Sequence, residues 1–341
     1  MALQHVAAQD APEVRFDVWV INNNSTDDTQ QLIDEFIAGR PNWHTSFEPR
    51  QGLSFARNRG IERARAPIVA FTDDDIAVRP DWIAQIARTM RAHPEVDFIG
   101  GKVLPRWHEP PPKWLSRLNW TPLAMTEHGD EPLYLSIERP WCMVGANLAV
   151  RKSALAWAGG FSPDFQRVKD GIGSTEDHEF QFRLWRDGRL GLYEPALVVE
   201  AEVQDDRRRK RYHRRWHAGH ARYCARMGTE NLTEDMPEIF GMPTCYLRLI
   251  AIHGAGYIES AVKGQPDRAF LHENKIRFLV NYVRQYHADR QVHPTRNTLE
   301  RTVRGVRELA RRKLSSMPAL AELRGKHLRA HGEAERMRSS R

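Results

Sequence analysis

Three consecutive carboxylates follow a short apolar segment in the first quarter of the sequence. Pro67–Phe71 is rich in apolar and β-branched residues, which predicts a buried strand, and Asp73, Asp74 and Asp75 begin two residues after it. The C-terminal end of such a strand lies at the crevice where α/β sheets bind ligands. Mg²⁺ and Mn²⁺ use a few carboxylates together with phosphate oxygens. The alternative is an acidic turn that caps the next helix, and the position after a strand favours the metal site.

A second acidic group begins a segment with helical spacing. Glu176, Asp177 and Glu179 precede apolar residues that recur every two to four positions. Acidic residues in a first helical turn stabilise the helix dipole, which is the structural interpretation. The catalytic interpretation is a general base, because clustered carboxylates raise one another's pKa. The segment Gly52–Gly60 adds Arg57 and Asn58 at another helix start, where a phosphate or a base could bind.

Predicted strands and helices alternate through the first hundred residues. Apolar, β-branched runs predict strands, and amphipathic runs between cap residues, glycine and proline predict helices. The predicted strands are 16–21, 43–47, 67–71 and 96–103, and the predicted helices are 29–38, 52–66 and 80–93. The alternation predicts an α/β fold with a mostly parallel sheet covered on both faces. Residues 105–140 predict an irregular excursion, and helical spacing returns at 212–227, at 243–288 and after Asn297.

The composition excludes several classes of protein. Of 341 residues, 41% are apolar and 28% are charged, which is typical of a globular protein. Cys142, Cys224 and Cys245 have neither disulfide-scaffold nor zinc-finger spacing, which favours a reducing compartment. The sequence has no stretch of about 18 apolar residues and no secretory leader pattern. We therefore expect a cytoplasmic protein, with peripheral attachment to the inner face of the membrane as a further option.

Charge divides the sequence into two parts. Residues 1–206 contain 22 Lys and Arg against 31 Asp and Glu, whereas residues 207–341 contain 29 against 13. The change occurs in the basic run Arg207–Arg215. Such a surface attracts an anionic membrane, nucleic acid or a phosphorylated substrate, and a solvated helix face is the structural alternative. The sequence predicts two domains. The first is the α/β domain at 1–228, and the second is a basic helical region at 229–341.

Six segments, in this order, resemble glycosyltransferase family 2, the inverting nucleotide-sugar transferases with a GT-A fold. The segments are 18–29, 52–64, 70–76, 145–151, 159–161 and 176–183. The resemblance covers roughly residues 14–228. It implies a GT-A-like, mostly parallel sheet with flanking helices, followed by the basic helical region. It also implies a hexosyltransferase-like enzyme that moves a sugar to an acceptor hydroxyl in cell-envelope or polysaccharide biosynthesis.

The resemblance implies roles for particular residues. The nucleotide and donor-sugar site would contain Asn22, Asn24, Arg57, Asp73, Asp74, Gly145, Ala146 and Asn147. Asp73 and Asp75 would hold Mn²⁺ or Mg²⁺, which stabilises the diphosphate as a leaving group. Asp177 would be the general base and Glu176 would orient it. Trp107, Trp114 and Trp141 could stack on a sugar, although tryptophans more often belong to a core. The implied partners are a nucleotide-diphosphate sugar and a glycan or lipid-linked acceptor.

The sequence departs from the family pattern at three places. Asn22 replaces an acid that usually binds the base of the nucleotide, although an amide can still form hydrogen bonds with it. Before residue 16 the sequence shows no counterpart of the family's usual first strand, and Met1–Gln9 resembles the end of the helix after it. Either the start of the sequence is mis-set or truncated, or the protein lacks part of its donor site. A histidine near the metal is also missing, and either Glu200 or Glu202 substitutes for it or nothing does.

These departures keep other functions open. A catalytically impaired family member that acts as a binding protein is the alternative to an enzyme. A nucleic-acid binder built on the run Arg207–Arg215 is the third hypothesis. The sequence contains no recognised nucleic-acid-binding motif, so we predict no nucleic-acid partner.

Overall fold

A computed structural model of the chain describes residues 2–166, 172–173, 175–229, 236–239 and 241–289. The helix that the sequence predicts after Asn297 lies outside these residues. The helices of the described part are α1 (Ala2–Ala7), α2 (Thr29–Ile37), α3 (Leu53–Arg63), α4 (Trp82–Ala92), α5 (Lys152–Ala158), α6 (Glu176–Arg186), α7 (Lys210–Met227), α8 (Thr244–Val262) and α9 (Pro266–Asp289).

The strands cluster in the first two thirds of the chain. They are β1 (Val18–Asn22), β2 (Trp43–Phe47), β3 (Ile68–Phe71), β4 (Ile76–Val78), β5 (Phe98–Arg106), β6 (Leu133–Leu135), β7 (Leu148–Arg151), β8 (Gly191–Glu202), β9 (Glu238–Ile239) and β10 (Met242–Pro243). The α/β fold and the predicted alternation of elements through residue 103 are confirmed.

The main sheet has the strand order β3-β7-β5-β8-β4, with β6 paired to β8. β5 and β8 are parallel, and β7 lies antiparallel between β3 and β5. β4 and β6 are also antiparallel to β8. The antiparallel strands belong to segments that the predicted strand–helix alternation did not include, which is why the sheet is mixed rather than formed by successive parallel strands.

β1 and β2 form a separate parallel pair. In the described residues no strand hydrogen-bonds β1 to β3, and side chains of both strands line one cleft of about 1340 Å³. Its walls include Val18, Val20, Ile68 and Ala70. The predicted helix at Met1–Gln9 is confirmed as α1. The absence of a further family strand stays a prediction.

Two apolar clusters lie on opposite faces of the main sheet, as the alternation of side chains along a strand requires. On β5, Ile99 and Val103 contribute to the first cluster and Phe98 to the second. α4 covers the first face, and α5 and α6 cover the second. Asp73 after β3, Glu202 at the end of β8 and Glu176 at the start of α6 line the same cleft.

The helices after β8 form a third cluster. α7, α8 and α9 enclose Cys224, Tyr246 and Tyr282. Asn119, in the irregular segment after β5, donates a hydrogen bond of 3.0 Å to the carbonyl oxygen of Asp267. The helical region therefore packs on the sheet domain. The predicted boundary between residues 228 and 229 stays a prediction.

Candidate functional site

Arg57 connects the two acidic segments that the sequence singles out. It lies on α3 with only 7% of its surface exposed. Its guanidinium forms an ion pair with Asp177, and its terminal nitrogens lie 3.5 Å from carboxylate oxygens of Asp73 and Glu176. Burial lowers the pKa of Arg57, but the three carboxylates outweigh this effect and raise the pKa above its usual value. Arg57 is therefore a permanent cation at the centre of the site.

Asp177 has a second partner that fixes its orientation. Its Oδ2 accepts a hydrogen bond of 2.8 Å from the backbone N–H of Gly145. A Cβ atom at position 145 would lie 2.4 Å from a guanidinium nitrogen of Arg57 and 2.6 Å from Asp177 Oδ1. The close approach of these groups therefore requires glycine at this position.

The carboxylates after β3 repel one another. Burial raises the pKa of Asp73, Arg57 opposes that effect, and Asp177, Asp75 and Asp74 add to it. Burial and Asp74 also raise the pKa of Asp75, whereas Arg207 lowers it. Oxygen ligands held close together at a cost in repulsion suit a hard divalent cation, and Asp73 and Asp75 fit such an ion.

The β1–β3 cleft reaches this acidic group. Arg57, Asp73, Asp75 and Arg207 act on one another's charge and form its polar end, and Asn22 also lines it. Apolar side chains of β1, β3 and α4 form a wall, and further polar side chains complete the lining. A concave site with an apolar wall and a few convergent polar groups is typical of small-molecule binding sites.

Several predicted donor-site residues have other contacts in the structure. Asn22 is buried, donates to Gln30 and accepts from the backbone of Ser25, so it holds the loop after β1. Asn24 is exposed and has a φ of 58°. Asp74 is exposed at the edge of the cleft.

Asn147 is completely buried within the fold. Its amide nitrogen donates to the carbonyl oxygens of Lys102 and Leu197, both at 3.0 Å, and its oxygen accepts from Trp82 Nε1 at 2.8 Å. Both of its amide protons and one acceptor position are thereby used. This side chain joins β5, β8 and α4 rather than pointing into the cleft, while its neighbour Ala146 lines the cleft.

The three tryptophans differ in their surroundings. Trp107 packs against the first apolar cluster, and the ring of Trp114 contacts His213 and Phe270 edge-on. These contacts give both residues a role in packing. Trp141 is 43% exposed, its ring stacks on His128, and the guanidinium of Arg139 lies over the ring, 5.9 Å from its centroid.

Two residues near Asp75 line the cleft, and only Glu202 was named from the sequence, as a substitute for the missing histidine. Arg207, known from the sequence only as part of a basic run, lines the cleft and acts on the charge of Asp75. Glu202 lines the same cleft and pairs with His108, which places a histidine near the acidic group by way of the loop after β5. Glu200 is exposed and is not among the cleft residues. The acidic and basic types were visible in the sequence, but their convergence depends on the pairing of β5 with β8.

Comparison with known proteins shows what the segment that forms most of this cleft is similar to. Residues 2–154 match the family described as Glycosyl transferase family 2. The match covers a little under half of the chain. It includes α3 and Asp73–Asp75, and it ends before Glu176 and Asp177.

The curated relatives are glycosyltransferases and a polysaccharide-biosynthesis protein. The chain is 26% identical over 127 residues to glucosyl-dolichyl phosphate glucuronosyltransferase of Haloferax volcanii, which is 37% of this chain and 39% of the relative. It is 32% identical over 102 residues to glycosyltransferase AglE of the same organism, covering 30% and 33%. It is 27% identical over 118 residues to succinoglycan biosynthesis protein ExoM of Rhizobium meliloti, covering 31% and 37%. The aligned segments thus span about a third of these relatives.

Among solved structures, this chain is similar to a mannosyltransferase from Pyrobaculum calidifontis in complex with GDP-Man and Mn²⁺. The similarity covers 93% of this chain and 75% of that chain, with 16% identity and a TM-score of 0.49. TarS of S. aureus in complex with UDP-GlcNAc is similar over 85% of this chain and 86% of that chain, with 16% identity and a TM-score of 0.45. In the described residues, no helix is long and apolar enough to cross a membrane.

Proposed function

We propose that the chain is an inverting glycosyltransferase that moves a sugar from a nucleotide-diphosphate sugar to an acceptor hydroxyl. The observation that supports this most strongly is the contact of Arg57 with Asp73, Glu176 and Asp177. Through this one side chain, the acidic group after β3 and the first turn of α6 are held next to each other. A donor diphosphate and an acceptor hydroxyl need those two groups of residues at the same place.

Asp177 is the proposed general base. It removes the proton from the acceptor hydroxyl, whose oxygen attacks the anomeric carbon of the donor. The bond from that carbon to the phosphate oxygen breaks on the opposite face, and the nucleoside diphosphate leaves with the electron pair. Arg57 and the N–H of Gly145 contact this carboxylate and fix its direction. Glu176 supports Arg57 from the same helical turn.

The cleft between β1 and β3 is the proposed donor site. Asp73 and Asp75 would hold Mn²⁺ or Mg²⁺, which neutralises charge on the diphosphate when bound. Arg207 provides a further positive group at the polar end of the cleft for a phosphate oxygen. Of the three tryptophans, Trp141 is the one that is exposed and could contact a sugar.

We infer that the acceptor is presented at an anionic membrane surface. One side of α8 exposes Leu249, Ile252, Ala255, Ile258 and Val262, which recur every three or four residues. Val262 is 83% exposed and Ile258 is 65% exposed. The region after residue 206 contains 29 basic and 13 acidic residues. An apolar helix face together with basic residues is typical of a helix that lies in the interface of an anionic membrane. A lipid-linked acceptor in cell-envelope or polysaccharide biosynthesis suits this placement.

Calorimetric titration with UDP and with GDP, each with and without Mn²⁺, tests the donor site. We expect one nucleotide to bind in a metal-dependent way, and we expect Asp75→Asn to abolish the metal dependence. Asp10→Asn is the matched control, because it removes the same charge from an exposed position. Incubation with the corresponding sugar nucleotides then measures transfer to water, with release of the nucleoside diphosphate.

The outcomes separate the hypotheses. Binding that requires Mn²⁺ and is followed by slow donor hydrolysis supports an enzyme. Binding without hydrolysis, unchanged in Asp177→Asn, supports the catalytically impaired binding protein. No binding of either nucleotide to the folded chain contradicts the proposed donor site.

A further inference from the structure

Two histidines and a cysteine meet where α6 packs against α7. His178 lies on α6, and His220 and Cys224, four residues apart, lie on one face of α7. One potential ligand atom of each residue lies within 4.8 Å of the others, and Nε2 of His220 is 3.5 Å from Sγ of Cys224. We propose that these three side chains bind a divalent transition-metal ion, with Zn²⁺ as the preferred ion.

The chemistry of the three side chains selects the class of ion. Thiolate and imidazole are ligands for Zn²⁺ and related ions, whereas Mg²⁺ and Mn²⁺ prefer oxygen. Zn–S and Zn–N bonds of about 2.3 and 2.0 Å in a tetrahedron place neighbouring ligand atoms about 3.5 Å apart. The spacing of His220 and Cys224 matches this value. Three protein ligands leave one position for water or another ligand.

The surroundings hold the ligands in place. Cys224 is 3% exposed, and the ring of His220 stacks on Trp216 with 4.3 Å between centroids. Burial and the neighbouring histidines lower the pKa of His220 to about 3, so the ring is in the neutral form that can ligate a metal. Nδ1 of His220 is buried and has no hydrogen-bond partner among the described residues.

Two glycines allow the backbone to approach α7 at this point. A Cβ atom on Gly219 would lie 1.9 Å from the carbonyl oxygen of Ile172, and one on Gly173 would lie 2.4 Å from the backbone nitrogen of His220. Gly173 also has a φ of 82°, which favours glycine. Ile172 and Gly173, which precede α6, therefore pack directly against the backbone of α7 beside His220.

The proposed ion has a different role from the cation at Asp73 and Asp75. His178 follows Asp177 in the first turn of α6, and its partners come from α7. An ion bound here would connect the helix that contains the proposed base to the helical region. It would make His178 a positioning residue for Asp177. The proposal stands independently of nucleotide binding, because it uses none of the donor-site ligands.

Titration of the full chain with Co²⁺ tests the site. Co²⁺ replaces Zn²⁺ in such sites, and a cysteine ligand gives a thiolate-to-cobalt charge-transfer band. We expect this band in the wild type, in Cys245→Ser and in Asp75→Asn. We expect Cys224→Ser to lose it. Cys245 is the matched control because it is an exposed cysteine on α8.

A second variant keeps the test valid if Cys224→Ser does not fold. His178→Gln retains the cysteine, and we expect it to weaken Zn²⁺ binding by at least about tenfold in competition with a chromogenic chelator. Zn²⁺ should also raise the melting temperature of the wild type and of Cys245→Ser more than that of His178→Gln. A wild type that shows no thiolate band, or a band that Cys245→Ser loses and Cys224→Ser keeps, overturns the proposal.

Discussion

Arg57 determines the electrostatics of the candidate site at the residue scale. Three carboxylates would repel one another at short range, and a single buried guanidinium compensates them. Because Arg57 is held by α3, Asp73 by the end of β3 and Asp177 by α6, the cation also fixes the relative position of three elements. The same residue therefore contributes both to folding and to the proposed chemistry.

Asp177→Asn should stop transfer without removing donor binding. The amide keeps the size of the side chain and still offers an oxygen to the N–H of Gly145, but it no longer accepts a proton. Loss of a general base lowers rates by about 10²- to 10⁴-fold. Donor hydrolysis measured beside nucleotide affinity checks this expectation. An unchanged rate would exclude Asp177 as the base.

Asp75→Asn should stabilise the chain in the absence of metal. The pKa of Asp75 is raised in the folded state, so the folded protein binds its proton more tightly than the unfolded protein and loses stability as pH rises through that raised pKa. Asparagine removes this cost. We expect a higher melting temperature for the variant at neutral pH, and a difference that shrinks as pH falls toward about 4, near the ordinary pKa of aspartate.

Melting curves across pH in a chelating buffer measure this effect, with Asp10→Asn as the control for a lost surface charge. Mn²⁺ should reverse the order by stabilising the wild type only. A variant that is less stable than the wild type at neutral pH without metal would contradict the argument from charge repulsion.

At the scale of elements, Asn147 joins two strands and a helix. Its hydrogen bonds satisfy the carbonyl oxygens of Lys102 and Leu197 and the indole N–H of Trp82 in a buried place. The register between β5 and β8 shifts between Gly101 and Lys102, so the ladder itself leaves polar groups there. The family resemblance assigns Asn147 to the donor site, but in the structure its side chain holds β5, β8 and α4 together.

Asn147→Ala should destabilise the fold by roughly 1–3 kcal/mol, because buried polar partners lose their hydrogen bonds. Urea unfolding measures the loss. Gln31→Ala on the exposed side of α2 is the control and should change the free energy of unfolding by less than about 0.5 kcal/mol. An Asn147→Ala protein with wild-type stability and weakened nucleotide binding would instead favour the donor role.

At the scale of the whole molecule, the exposed apolar face of α8 and the basic composition after residue 206 are the two features that support the membrane proposal. The helix has 19 residues, or about 28 Å along its axis. An exposed apolar stripe of this kind can enter the boundary between headgroups and acyl chains.

Ile258→Glu should reduce binding to vesicles that contain phosphatidylglycerol. The substitution places a charge in the most apolar part of the stripe and adds negative charge near an anionic surface. We expect a loss of about tenfold or more in flotation assays, and weaker binding of the wild type at high salt. Gln31→Glu on α2 is the control for added charge. Equal binding of all three proteins, or equal binding to neutral vesicles, would contradict the membrane proposal.

The local pattern of the sequence determined the elements and the segments that contain the chemistry. Apolar periodicity predicted β1, β2, β3 and β5 and the helices α2, α3 and α4, because each is decided by neighbours within a few positions. It did not predict β4. The same reasoning located Asp73 to Asp75 after a strand and Glu176 and Asp177 in a first helical turn. These features also support the family resemblance.

Only the tertiary structure decided which of these residues meet. The pairing of Arg57 with Asp177 joins positions 120 residues apart, and it depends on the order of strands in the sheet and on the packing of α3 and α6. Burial of Asn147, the place of Arg207 beside Asp75, and the His178, His220 and Cys224 cluster have the same origin. Local spacing shows which side chains share one face of a helix. The element that packs against that face depends on the fold of the whole chain.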